Sequence, residues 1–233
     1  MAKKTNRLSI HLTNKEQIWA IIYLLFSYAL LPELIHFMNG YLPTPLNKVW
    51  INFLYFSINF VMTIWIFGGY FRRSLIYAGQ NIPDFLGAVV AASVVYWLCN
   101  WGISWLFGRF FPDYVNLNDS SVSDLVGNHY AIMFIATVFF VPVAEEALHR
   151  GLIFGCLYPK NHIAAYVLST AIFASVHILG YVGLYSLPHL ILAFIQYMPA
   201  GLTLAWAYRK SGSIFAPIVM HAVINTVGML AQQ

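Results

Sequence analysis

The chain has 233 residues, of which 60% are hydrophobic and 9% charged, with a formal net charge of +4. Soluble domains carry about 25% charged residues, so this composition and a mean hydropathy of +0.70 exclude a soluble globular fold and point to a polytopic helical membrane protein. The small basic excess reads as membrane topology, not as a nucleic-acid surface. Cys99 and Cys156 both sit in apolar runs; they give neither metal-ligand spacing nor a disulfide framework and read as small hydrophobes.

Met1 to Lys15 is polar and basic. The apolar run behind it lacks a small-residue cleavage site and reads as a first membrane helix, not a removed signal peptide. Span one is expected over Ile18–Met38, interrupted by Pro32 and Glu33, where a proline bends or ends a helix. The turn Asn39 to Pro45 follows. Span two is expected over Val49–Tyr70 and closed by Phe71-Arg72-Arg73-Ser74. A link from Ala78 to Asp84 leads to span three, Phe85–Phe107. The longest polar stretch, Gly108 to Asn128, holds Arg109, Asp113, Asp119 and Asp124. Span four runs over Tyr130–Leu157, with Pro142 inside it. Spans five, six and seven are expected over Ile163–Leu179, Leu187–Tyr208 and Ile214–Leu230, with Pro188, Pro199 and Pro217 in the last two.

The reading is an all-α bundle of seven helices, or eight if one run is two half-helices. It forms a single membrane domain over 1–233 with its polar motifs in 130–231. With the N-terminus inside, Lys3, Lys4, Arg7, Lys15, Arg72, Arg73, Arg150, Lys160, Arg209 and Lys210 fall on the cytoplasmic side. Of the 12 Lys and Arg, only Lys48 and Arg109 fall outside, the asymmetry expected of cytoplasmic loops. The N-terminus is therefore expected to be cytoplasmic.

The chemistry concentrates in Ala144-Glu145-Glu146-Ala147-Leu148-His149-Arg150-Gly151, at the end of an apolar run. Ionisable groups in a membrane segment are costly and usually face the protein interior or a water-filled cavity. Glu145 and His149 are four apart, as are Glu146 and Arg150, so each pair shares a helix face. Arg150 can hold Glu146 as an ion pair. That leaves Glu145 beside His149 without an assured cation, a setting that suits a general base. A purely structural ion-pair knot is the competing reading, and the second carboxylate fits it poorly.

Span five contributes His177, the one ionisable group of an otherwise apolar helix. Span seven contributes His221 and Asn225, four apart on one face. Taken singly, each can be a core or interhelical contact. Together, a carboxylate pair and two histidines on three helices can converge on one water molecule. Two His and one carboxylate also make a common zinc set. The same groups without metal still activate water, and Asn225 can donate to a developing oxyanion.

The order Glu-Glu-x-x-x-Arg (Glu145, Glu146, Arg150), Phe-x-x-x-His (Phe173, His177) and His-x-x-x-Asn (His221, Asn225) resembles the CPBP family of intramembrane proteases. That family includes the Ras-converting CAAX prenyl endopeptidases and bacterial Abi or bacteriocin-immunity relatives. The resemblance covers Glu145 to Asn225; the first 140 residues share only apolar spans. It implies an intramembrane endopeptidase whose site opens to the cytosol. It implies Glu145 as the base, Glu146 and Arg150 as a supporting pair, His177 and His221 as ligands of the water or of a metal, and Asn225 polarising the scissile carbonyl. Phe173 supports the site, and His149, at a variable position of the motif, is a supporting candidate.

Zinc or another divalent metal bound by His177, His221 and Glu145 and a metal-free glutamate mechanism both stay open. The implied partners are membrane lipids and a hydrophobic or prenylated peptide, with no nucleic acid. The implied location is a multi-pass protein, in the bacterial cytoplasmic membrane. A non-enzymatic bacteriocin-immunity or scaffold protein on the same fold is the alternative function. A proton-coupled transporter would call for an internal repeat, and the sequence has none.

One expectation concerns depth. At ~1.5 Å per residue, Glu145 and His221 read as shallow from the cytoplasmic end. His177, ~15 residues into its span, reads as deeper.

Overall fold

A computed structural model describes Leu8, residues 10–117 and residues 129–231. Lys3, Lys4, Arg7, Asp119 and Asp124, used above for topology and loop charge, lie outside these residues. Seven helical rods are present among the described residues: α1 (Asn14–Asn39), α2 (Lys48–Gln80), α3 (Ile82–Phe110), α4 (Tyr130–Leu157), α5 (His162–Leu179), α6 (Leu187–Ser211) and α7 (Phe215–Leu230). The first six are long and apolar enough to cross a bilayer; α7 is shorter. The protein is an all-α integral membrane bundle, as expected.

Its faces are arranged as a bilayer demands. On α3, Leu86, Val90, Val94, Leu98, Trp101 and Trp105 form an exposed stripe at spacings of three and four. The opposite face presents buried Ala88, Ala92 and Tyr96. Small residues there let α3 approach α6, whose Ala193, Ala200, Ala205 and Ala207 are also buried. Polar and charged side chains are packed inward instead, among them Asn59, Thr63, Glu146, His149, Arg150 and Ser169.

Two prolines shape helices without ending them. Pro32 and Pro142 each follow a π-helical turn, Phe26–Leu30 in α1 and Ala136–Phe140 in α4. A proline clashes with the carbonyl four residues back and brings no N–H. Here the residue before each proline bonds five residues back, Leu31 N–H to Phe26 O and Val141 N–H to Ala136 O. The widened turn absorbs the clash, so both helices run on. A longer π segment, Ala147–Phe154, follows the two glutamates.

Span two is longer than expected. Arg72 and Arg73 do not close it; α2 continues to Gln80. Arg73 reaches back to the start of α1, donating to Glu16 Oε2 at 2.6 Å and to His11 O at 3.2 Å. Glu16 is itself the reciprocal partner of the N-capping Thr13. The charge is thus absorbed sideways and the helix has no reason to stop. The expected link from Ala78 to Asp84 shrinks to Asn81, whose amide nitrogen donates to Tyr77 O at 2.9 Å. Pro83 sits harmlessly in the first turn of α3.

That extension has a use. The α6–α7 turn, Ser211–Ile214, is buried. Irregular backbone inside a membrane protein must find internal partners, and Ser74 of α2 supplies them. It accepts from Ile214 N–H at 2.9 Å through Oγ and from Ser213 Oγ at 3.1 Å through its carbonyl. Gly212 takes φ +70°, and a Cβ there would lie 2.7 Å from the Tyr77 ring. A residue with a side chain fails on both counts. α7 therefore starts inside the protein, which carries its early residues inward.

Candidate active site

The site is built where α4, α5 and α7 meet. Glu146 is fully buried, and its Oε1 accepts from Arg150 at 3.0 Å and from His221 Nδ1 at 2.8 Å. One carboxylate oxygen thus ties α4 to α7. Arg150, also fully buried, sends a second N–H to Gly201 O on α6 at 3.1 Å. Its guanidinium lies 4.4 Å from the centroid of the Phe173 ring, a desolvated cation–π contact. The ion pair, the carbonyl and the ring face offset the burial of the guanidinium, whose Nε makes no hydrogen bond.

Phe173 is the hinge of the arrangement. Its buried ring meets Arg150 on one contact and packs against His149, His177 and His221 at centroid distances of 5.3, 4.5 and 6.0 Å. The sequence reading made it a supporting residue; the structure makes it the packing centre of the cluster.

Glu145 points elsewhere. Its Oε2 lies 3.7 Å from His177 Nε2, and neither that oxygen nor Glu146 Oε2 has a hydrogen-bond partner, although both are buried. A buried carboxylate oxygen without a partner is a place for a water or a substrate group. The expected side-by-side pairing of Glu145 with His149 does not form. His149 Nδ1 instead bonds the Glu145 carbonyl at 2.8 Å, and its Nε2 lies 3.5 Å from Tyr28 Oη on α1. His149 is fully buried and braces the π segment, whose His149 carbonyl accepts from Ser169 of α5 at 3.1 Å.

Hydrogen-bond partners fix the tautomers of the other two histidines. His177 Nδ1 faces the Phe173 carbonyl at 2.9 Å and must donate to it. Its Nε2 then presents a lone pair towards Glu145. His221 Nδ1 donates to Glu146, which leaves its Nε2 as the other acceptor. Asn225 spends one amide hydrogen on Thr137 O at 2.8 Å and keeps a second. The expected depth mismatch is resolved by where the helices begin and end. α4 continues from Glu145 to Leu157, α5 runs from His162 to His177, and α7 starts inside the protein.

A cavity of about 300 Å³ opens beside the cluster, lined by His177, His221, Asn225, Phe173, Thr137 and residues of α3 and α6. Glu145 is not on its wall. It lines a separate pocket of about 30 Å³ with Tyr28, Tyr55 and Asn59, and reaches the cavity's wall only through His177, 3.7 Å away. Gln196 lines the large cavity, whereas His189 is not on its wall and bonds Val115 O at 3.0 Å. Asn59 is a helix–helix contact, accepting from Tyr23 Oη at 2.8 Å.

For a metal, the two histidines are correctly oriented, since a ligating imidazole usually donates its other N–H to a carboxylate or carbonyl. The grouping does not fit, however. Among the described residues no three His, Cys, Asp or Glu side chains come together closely enough to hold an ion. The set His177, His221 and Glu145 would have to move to do so.

Several contributors escaped the sequence reading. Gly201 and Thr137 act through backbone carbonyls, which no side-chain pattern marks. Tyr197 stacks on His177 at 4.4 Å and looks in sequence like any aromatic of an apolar helix. Tyr28 lies in the π turn Phe26–Leu30 ahead of Pro32, and no side-chain pattern marks it.

Residues 127–227 match the family model described as Type II CAAX prenyl endopeptidase Rce1-like. Over 116 residues the chain is 32% identical to a Bacillus subtilis (strain 168) protein named "Putative membrane peptidase YdiL", covering 49% of this chain and 43% of that one. Over 113 residues it is 32% identical to the "UPF0177 protein YxdF" of Lactococcus lactis subsp. lactis (strain IL1403), covering 48% and 56%. The chain thus spans about half the length of these curated relatives. No solved structure matches it. The matched segment contains every residue of the three motifs, and the likeness to CPBP proteases is borne out.

Proposed function

From the premise that residues 127–227 carry an Rce1-like peptidase segment, we propose that the protein is an intramembrane endopeptidase. It hydrolyses a peptide bond in a hydrophobic or lipidated substrate. The observation that carries this reading is the unpartnered, buried Glu145 Oε2 at 3.7 Å from His177 Nε2. A carboxylate held apart from the Glu146–Arg150 pair, facing an imidazole acceptor at the edge of a cavity, is equipped to deprotonate water.

In this mechanism a water gives one hydrogen bond to Glu145 and one to a histidine Nε2. Glu145 takes the proton as the oxygen attacks the scissile carbonyl carbon. The free amide hydrogen of Asn225 donates to the resulting oxyanion. The carbon–nitrogen bond then breaks, and Glu145 returns the proton to the leaving nitrogen. Glu146, Arg150 and Phe173 keep His221 and His177 in register. No step runs through a metal.

The positive-inside distribution supports a cytoplasmic N-terminus and a site open to the cytosol. The helix ends that carry these cations lie together as that layout requires: Arg209 at the end of α6 donates to Tyr158 just after α4 at 2.8 Å, and Arg73 of α2 to Glu16 at the start of α1 at 2.6 Å. The bacterial relatives support a place in a bacterial cytoplasmic membrane.

The deciding experiment incubates purified wild type and Glu145→Gln, in detergent or lipid, with a farnesylated CAAX peptide and a panel of hydrophobic peptides. Each is run with and without a chelator and read by mass spectrometry. Cleavage by wild type alone is expected, and insensitivity to chelator goes with the metal-free route. Loss with chelator and recovery with zinc would replace that route by a metal-dependent one. Cleavage of nothing by well-folded wild type would favour the immunity or scaffold role.

A further inference from the structure

We propose that the water consumed at Glu145 arrives on the side away from the large cavity, along a polar track between α1 and α2 that ends at Tyr55. The inference rests on the protease reading and adds the route of its second substrate. Hydrolysis consumes one water per turnover, and hydrocarbon supplies none. A peptide seated in the large cavity lies over His177 and His221, which line it, and closes that side.

On α2, Lys48, Asn52, Tyr55 and Asn59 follow one another at spacings of four, three and four, so they share one helix face. Burial deepens along it: Lys48 is exposed, Asn52 and Tyr55 are half-buried and Asn59 is buried. On α1, His36, Pro32 and Tyr28 stand four apart. Two spaces lie along the seam between these rows. A groove of about 390 Å³ is lined by His36, Pro32, Lys48, Asn52 and Tyr55. The pocket of about 30 Å³ beyond it holds Tyr28, Tyr55, Asn59 and Glu145 on its wall. Tyr55 is the one described residue that lines both. Roughly 10–15 Å³ suffices for one water where polar partners are present, so the inner pocket has room for one beside Glu145.

Part of this row is structural. Asn59 accepts from Tyr23 Oη at 2.8 Å and donates to Tyr55 O at 2.9 Å. Asn52 differs. Its amide nitrogen donates to Lys48 O, on its own helix, at 2.8 Å, and it lines the groove with its carbonyl oxygen and second amide hydrogen to spare. A carboxamide placed so in a membrane helix is costly unless it meets water.

Tyr55 is fastened as a partition. Its Oη donates to Ser27 O at 3.2 Å. In that π turn Leu31 N–H bonds Phe26 O, five residues back. The same register offers Ser27 O only residue 32, a proline without an N–H. The carbonyl that Pro32 leaves open thus holds the ring between groove and pocket.

The test uses the full chain in lipid nanodiscs, with Cys99→Ala and Cys156→Ala as the parent, and the anionic thiol reagent sulfonatoethyl methanethiosulfonate. The thiolate is the reacting form and needs water to ionise, so Asn52→Cys is expected to label about a hundredfold faster than Leu54→Cys. Leu54 is 39% exposed on the lipid side of the same helix. Once labelled, Asn52→Cys is expected to lose about tenfold in kcat at unchanged KM, since the plug stops water and not peptide. Labelled Leu54→Cys should keep the parent's kcat. Asn52→Leu, which keeps the volume and removes the polarity, should show the same kcat loss without reagent. Equal labelling rates at the two positions, or an intact kcat in labelled Asn52→Cys, would overturn the track, while cleavage by the parent keeps the protease reading. A rise in KM at unchanged kcat would overturn it as well and make the groove a peptide entrance. Fast labelling in a parent that cleaves nothing sinks the protease reading and, with it, the catalytic use of the track.

Discussion

His221 Nδ1 lies 2.8 Å from Glu146 Oε1, so the third motif is fastened to the second glutamate of the first, not to Glu145. The two adjacent carboxylates therefore have different work. Glu146 is the anchor of a buried network and Glu145 is the group left over for chemistry.

Glu146→Gln is expected to be a stability variant. It leaves the Arg150 charge uncompensated in a fully buried setting, and breaking such a pair costs about 3–5 kcal/mol. Thermal unfolding in detergent should fall clearly below wild type, and His221 should lose its orientation with it. An unchanged melting temperature would show that the pair is not the anchor.

Glu145→Gln is expected to behave in the opposite way. Its carboxylate makes no hydrogen bond through Oε2, so little stability is lost. Activity should drop by about 10²–10⁴-fold, the usual contribution of a general base. Measuring melting temperature and cleavage on the same preparation checks both halves. Retained activity would remove Glu145 from the role of base.

The contrast between these glutamates shows what the sequence carried and what it did not. Helical spacing paired Glu146 with Arg150 correctly, because four residues on one helix are a local matter. The same rule paired Glu145 with His149, and here it failed. The π segment Ala147–Phe154 and the Glu145 carbonyl took up His149 Nδ1 instead. Apolar runs located the seven helices because bilayer burial is written in composition. The end of α2 was misjudged because Arg73 looked like a boundary residue, and its partner Glu16 lies 57 positions away. The convergence of His221 with Glu146 depends likewise on the buried Ser211–Ile214 turn and on Ser74. Both are long-range facts of packing that no local pattern announces.

Phe173→Ala is expected to damage stability and catalysis together. The ring is 2% exposed and lies against Arg150 and three histidines. Phe→Ala in a packed core costs about 3–5 kcal/mol, and the cation–π contact goes with it. Phe173→Tyr or Phe173→Trp should keep the ring face and fail by overpacking instead. Phe173→Leu should fall between wild type and Ala in melting temperature. Equal loss in Leu and Ala would mean that the aromatic face, not the volume, is what Arg150 needs.

Gly201→Ala tests whether helix spacing sets the catalytic geometry. A Cβ at Gly201 would lie 2.6 Å from Thr170 Cγ2 and 3.1 Å from the Thr170 α-carbon, so α6 must move off α5. The Gly201 carbonyl that holds Arg150 moves with it, and α5 carries His177. Overpacking of this kind costs typically about 1–3 kcal/mol. The expected signature is a modest fall in melting temperature with a larger fall in kcat than in substrate affinity, since the Glu145–His177 gap changes before the cavity wall does. Thr170→Ala removes the nearest atom, the γ-methyl, but leaves the close approach to the α5 backbone. The double variant should therefore recover part of the stability and part of the activity. Full activity in Gly201→Ala would show that the 3.7 Å separation of Glu145 and His177 does not depend on how closely α5 and α6 approach.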